Sequence, residues 1–189
     1  LYMVPLHTWA EVQKVTLKNT TNQIKRFKVF SFVEWCLWNA QSDMENFQRN
    51  LSLGEVEVEN SILFHKTEYR ERRNHYSYYS VNVPINGFET DRESFLGMYN
   101  GFDQPQAVTQ GRACNSIAHG WSPIASHYIE IELGPGELKD LIFVLGYVEN
   151  GESEKWDKEQ KLNKNCAYEV IDRFNTCLLY TSPSPRDRG

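Results

Sequence analysis

Apolar positions alternate with polar ones along most of the first 150 residues, at a period of two. Val12–Leu17 is a short β-branched run that ends in the turn cluster Lys18-Asn19-Thr20-Thr21-Asn22. Arg26–Trp38 places Phe27, Val29, Ser31, Val33 and Trp35 on one face and Phe30 and Phe32 on the other, the pattern of a strand buried on both sides. Gly54–Asn60 alternates Glu55, Val56, Glu57, Val58, Glu59 and predicts a strand with one wet face. Ser61–Glu68, His75–Pro84, His127–Leu133 and Lys139–Val148 complete the strand set. Between the last two, Gly134-Pro135-Gly136 predicts a hairpin turn.

Helical spacing is scarce. Thr90-Asp-Arg-Glu93 has the form of a capping box, with Thr90 as N-cap and Glu93 three residues on, and only one turn fits before Gly97. Asn163–Asn175 carries Ala167, Val170, Ile171 and Phe174 on one stripe and predicts a full helix. Many short strands and one terminal helix predict a mainly β chain, an antiparallel β-sandwich.

Composition narrows the function classes. With 189 residues, 40% of them hydrophobic, the chain is long enough to bury a sizeable core. Its 10 Phe, 10 Tyr and 5 Trp argue against disorder. A net charge of −5 and a pI near 5.6 argue against nucleic acid or an anionic membrane surface as partner. No apolar run approaches the roughly 20 residues that span a bilayer, and Leu1–Trp9 lacks the features of a signal peptide. Cys36, Cys114, Cys166 and Cys177 form no C-x-x-C pair, and the five histidines show no ligand spacing, so reduced structural thiols and no metal are expected.

The segment Cys177–Gly189 breaks from this composition. Its stretch CLLYTSPSPRD matches a reading frame of a transposase sequencing adaptor, and residues 177–189 are expected to be a disordered artefact. Without them, two Arg and one Asp fewer turn −5 into −6. The chain also starts on Leu rather than Met, so the expectation is a piece of a longer protein truncated at both ends.

The motifs, taken in order, carry a resemblance. Phe30-Ser-Phe-Val-Glu-Trp-Cys-Leu-Trp-Asn-Ala40, Asn46-Phe-Gln-Arg-Asn50 and His65-Lys-Thr-Glu-Tyr-Arg-Glu-Arg-Arg73 are followed by Ser80-Val-Asn82 and Gly87–Glu93. Phe95-Leu-Gly97, Tyr99–Asp103, Gly120–Ala125, Gly146–Asn150 and Lys155-Trp156 come next. The series resembles the amino-terminal domain of cellobiose phosphorylases, inverting glycoside phosphorylases of glycoside hydrolase family 94, over essentially all of residues 1–176. The resemblance implies a supersandwich-type β-sandwich over 1–155, the start of a helical linker over 156–176, and a helical barrel beyond. It implies conversion of cellobiose and phosphate into α-glucose 1-phosphate and glucose, in a cytoplasmic homodimer. No cofactor is implied, since inorganic phosphate is a co-substrate. An inverting hydrolase needs an acid and a second carboxylate to activate water; phosphate is already a nucleophile, so the acid alone suffices. The resemblance puts that acid, an Asp, and the phosphate-binding residues on the barrel, so no residue of this chain is expected to be catalytic.

The binding candidate is Arg49, with Gln48 beside it. Ala40–Asn50 is a polar connection without hairpin chemistry, the kind of loop that often carries function. A guanidinium offers five donors in fixed geometry, suited to sugar hydroxyls or carboxylates. The resemblance implies that Arg49 reaches the acceptor sugar of the neighbouring subunit; the alternative is an internal ion pair. Glu34, Asp43, Glu45, Glu68, Glu71, Asp91 and Glu93 are read as structural carboxylates. Arg70, Arg72 and Arg73 are read as interface ion-pair formers or as support for the Arg49 loop, and Trp121 as a buried aromatic rather than a sugar platform. Two rival functions stand: a cellodextrin, chitobiose or laminaribiose phosphorylase, and a non-catalytic carbohydrate-binding or dimerisation module.

Overall fold

A computed structural model of the chain describes residues 1–35, 54–67, 74–120 and 122–176. Its strands are β1 (Tyr2–Met3), β2 (Ala10–Lys18), β3 (Lys25–Phe30), β4 (Val33–Glu34), β5 (Gly54–Glu59), β6 (Ile62–Thr67), β7 (His75–Val81), β8 (Gly87–Asp91), β9 (Pro123–Leu133) and β10 (Leu138–Glu149). Among the described residues three helices join them: α1 (Arg92–Leu96), α2 (Gln106–Gln110) and α3 (Asn165–Thr176). All the strand pairs are antiparallel. One sheet runs β1-β2-β10-β7-β6-β5; the other is built on β9, flanked by β3, β4 and β8.

The chain is therefore the antiparallel sandwich that the alternation predicts, and three apolar clusters define its layers. Between the sheets lie Leu63, Tyr79, Leu141 and Phe143 of the large sheet against Ala125, Ile129, Ile131 and Leu133 of β9. The opposite face of the large sheet, with Val12, Phe64, Tyr76, Tyr78 and Val144, is covered by Ala167, Ile171 and Phe174 of α3. Phe30, Phe32 and Ile124 on the far side of the small sheet meet Phe95 and Leu96 of α1 and Ala107 of α2. Helix α3 packs through the stripe expected of it.

Four expectations change. The described part of the run Arg26–Trp38 is β3 and β4 in one unbroken register along β9, with Val29, Val33 and Trp35 facing the inter-sheet core and Phe30 and Phe32 facing the helices, but residues 25–28 are exposed at the sheet's edge, so the strand is not a central one. Both β10 and β7 are buried on two faces: Leu141, Phe143, Tyr79 and Val81 face the other sheet, and Ile142, Val144, Tyr76 and Tyr78 face α3. Gly134-Pro135-Gly136 is not a hairpin, because β9 and β10 belong to different sheets and the turn carries the chain from one to the other. Asn19 holds that crossing: its amide donates to the Leu133 and Gly134 carbonyls, each at 2.9 Å, and its backbone carbonyl accepts from Gly136 N–H at 3.0 Å.

The N-cap of α1 is Asp91, one residue later than predicted, accepting from Ser94 N–H at 2.7 Å. Thr90 sits at a bulge of β8, where its hydroxyl donates to Ser116 O at 2.8 Å and accepts from Ala118 N–H at 2.9 Å. That hydroxyl is committed to the core and is not available to cap. The wet face of β5 is also partly covered, since Glu57 and Glu59 take up Lys164 in front of α3. Cys114 and Cys166 are free and exposed. Among the described residues no helix is long and apolar enough to cross a membrane.

Candidate functional site

Arg49 and Gln48 lie outside the described residues, as do Asp43, Glu45, Glu68, Glu71, the three arginines of 70–73, Trp121 and the segment 177–189. The residues that flank these segments, however, converge on one end of the sandwich. Gly54, where the chain resumes after 36–53, pairs with Thr67, where it leaves for 68–73. Glu55 bridges to His119, two residues before position 121. Trp35, the last described residue before 36–53, stacks on His65 with ring centroids 5.4 Å apart and planes 13° from parallel.

Strand chemistry brings these flanks together. Trp35 and His65 both point between the sheets, and burial pushes the His65 imidazole down to about 4, so it is neutral at pH 7. Nearby, His127 is fully buried, with Nδ1 2.9 Å from Ser31 Oγ, and desolvation lowers its pKa to about 3. These two histidines are packing residues rather than acid–base groups at neutral pH.

Glu34, Asp91 and Glu89 have structural partners. Glu34 accepts from Arg92 Nε at 2.6 Å, and the Arg92 guanidinium also lies 5.5 Å from the Phe102 ring centroid. Asp91 caps α1. Glu89, which the sequence reading missed, is buried and accepts from Cys114 N–H, from Ser116 N–H at 3.1 Å and from Ser116 Oγ. Its position two residues from Gly87 on an alternating strand gave no sign of burial, because the loop that supplies its donors is 25 residues away. Among the described residues no three His, Cys, Asp or Glu side chains group closely enough to hold a metal ion.

Two concave surfaces flank α3. A cleft of about 580 Å³ near its C-terminal end is lined by Ser61, Asn82, Ile85, Ile171, Asp172 and Asn175, with a single carboxylate and hence no acid–base pair. A groove of about 340 Å³ near its N-terminal end is lined by His7, Trp9, Tyr78, Glu149, Cys166 and Glu169, among others.

Comparison with known proteins decides the family. Residues 1–176 match the family model described as "Glycosyl hydrolase 94, supersandwich domain". The chain belongs to this family. An N,N'-diacetylchitobiose phosphorylase of Vibrio proteolyticus is 29% identical over 186 residues, which cover 96% of this chain and 23% of that protein. A second N,N'-diacetylchitobiose phosphorylase, of Vibrio furnissii, is 29% identical over 80% of this chain and 19% of its own length. A solabiose phosphorylase of Paenibacillus borealis is 28% identical over 67% of this chain and 16% of its length. The chain thus spans less than a quarter of these curated relatives. The relatives are named for chitobiose and solabiose rather than for cellobiose, so the family stands while the disaccharide stays open.

Proposed function

We propose that this chain is the amino-terminal sandwich of an inverting disaccharide phosphorylase, one that splits a disaccharide with inorganic phosphate into a sugar 1-phosphate and a free sugar. The observation that carries the reading is the supersandwich match across residues 1–176, joined to relatives that are each named as disaccharide phosphorylases. Cellobiose remains the substrate of first choice on the motif series, with N,N'-diacetylchitobiose the alternative that the relatives' names favour. The acid and the phosphate-binding groups lie in the barrel that follows, and the protein works as a cytoplasmic homodimer without a cofactor.

In this reading the sandwich supplies Arg49, with Gln48 next to it, to the acceptor sugar of the neighbouring subunit. The convergence of Trp35, Gly54, Thr67 and His119 at one end of the sandwich supports it, because 36–53 is tethered there at both ends. An Arg-to-hydroxyl hydrogen bond of a charged donor is worth about 1.5–3 kcal/mol. Arg49→Ala in the full-length protein is therefore expected to lower synthesis-direction efficiency with the acceptor roughly ten- to a hundredfold, mostly in acceptor KM. Its effect on the melt should stay within about 1 kcal/mol. A large drop in melting temperature with unchanged acceptor kinetics would make Arg49 a structural residue instead.

A further inference from the structure

The groove beside the N-terminal end of α3 contains an arrangement that packing does not explain. Tyr78 is 1% exposed, yet no hydrogen bond reaches its hydroxyl among the described residues. Its ring lies over Gly146, directly opposite it in register on β10, and a Cβ at that glycine would land inside van der Waals contact of the Tyr78 Cζ and hydroxyl oxygen. The bare backbone at 146 thus lets a phenol lie flat on the sheet, with its hydroxyl lining the groove.

An aromatic platform stands above it. Trp9 is 66% exposed although it is part of a turn that is firmly held. Its backbone carbonyl accepts Tyr147 N–H at 2.9 Å, and its indole stacks on the Tyr147 ring at 5.7 Å and 29°. Tyr147 is in turn held by His75, whose Nε2 lies 3.5 Å from a Glu149 carboxylate oxygen. The indole is fixed on one side and open on the other. Glu149 and Glu169 place two carboxylates on the groove wall.

We infer that this groove is a binding site for a neutral pyranose, stacked on Trp9 and hydrogen-bonded by the Tyr78 hydroxyl and the Glu149 and Glu169 carboxylates. A pyranose ring offers one face of C–H groups, which suits an indole, and an edge of hydroxyls, which suits carboxylate acceptors and a phenol that both donates and accepts. About 340 Å³ lies at the small end of the range for ligand pockets, enough for one or two sugar rings. Two carboxylates on the groove wall disfavour phosphorylated sugars by like-charge repulsion. The site therefore selects the uncharged disaccharide over the sugar phosphate.

Ligand-observed NMR and calorimetric titration of the 189-residue chain test this, with cellobiose, N,N'-diacetylchitobiose and α-glucose 1-phosphate as probes. Millimolar saturation by at least one neutral disaccharide is expected, with α-glucose 1-phosphate at least about fivefold weaker. Trp9→Ala should weaken binding more than about tenfold. Tyr78→Phe should weaken it about three- to tenfold while leaving the melting temperature equal or higher, since no protein partner is lost. The proposal fails if neither disaccharide binds at about 50 mM, if binding survives both substitutions, or if α-glucose 1-phosphate binds as well as the neutral sugars. Because the readout is binding to this chain alone, its failure leaves the phosphorylase reading standing, and loss of that reading leaves this test unchanged.

Discussion

His65 and His127 are the residues whose chemistry most depends on being inside. Each is buried with Nε2 lacking a hydrogen-bond partner, and desolvation lowers their pKa values from 6.5 to about 4 and about 3. The unfolded chain takes up these protons near pH 6.5 and the folded chain does not, so stability is complete above 6.5 and falls as the pH drops towards 4. At pH 4 the loss is on the order of 3 kcal/mol for each histidine. Thermal melts between pH 7.5 and 4.5 should therefore show a steady fall in melting temperature. His65→Phe, which keeps a ring against Trp35, should remove part of that slope; an unchanged slope in the variant would place the proton uptake elsewhere. Both histidines sit at inward positions of strands that the alternation predicts, so their burial was legible. Their lack of partners was not, because it depends on what the facing sheet brings.

At the scale of elements, α3 is fastened to the large sheet by more than its apolar stripe. Lys164, just before the helix and 8% exposed, pairs with Glu57 at 2.5 Å and with Glu59, and its ammonium lies 4.4 Å from the Phe64 ring centroid. Tyr168, one turn into the helix, donates to Glu59. Burial by itself would raise both carboxylates, but Lys164 more than offsets it and holds them below 4.5, joined by Tyr168 at Glu59 and by Lys66 at Glu57. A depressed carboxylate stabilises the fold above its unfolded pKa and loses that stabilisation as pH falls through its folded value. Lys164→Met keeps the packing on Phe64 and leaves Glu57 with Lys66 and Glu59 with Tyr168 as their remaining partners. Since those carboxylates keep partial access to water, a loss of about 2 kcal/mol is expected at pH 7, or about 4–8 °C in melting temperature. Below pH 4 the gap between variant and parent should narrow, and a gap that stays constant with pH would show the lysine acting through packing alone. The alternation of Glu55, Val56, Glu57, Val58 and Glu59 made β5 legible but read its polar face as wet. Nothing in that pattern could announce a lysine more than 100 residues away. The same limit explains the turn at Gly134-Pro135-Gly136: two alternating strands around a tight turn fit a hairpin and a crossing equally well, and Asn19 decides between them.

At the scale of the whole molecule, two sheets and their helical covers place the flanks of 36–53, of 68–73 and of position 121 at one end. The antiparallel class and the family were legible in strand periodicity and motif order. The groove under Trp9 was not, since it needs Tyr78 and Gly146 brought opposite each other across β7 and β10. On the proposed function, this sandwich serves a phosphorylase whose chemistry lies beyond it. The direct measurement is a product assay on the protein encoded by the uninterrupted gene, with cellobiose, N,N'-diacetylchitobiose and phosphate, alongside the 189-residue chain alone, reading product anomers by proton NMR. The account predicts an α-sugar 1-phosphate from one of the disaccharides with the full-length protein and no turnover by the chain alone. Turnover by the chain alone, or release of free sugars with no sugar phosphate by the full-length protein, would contradict it.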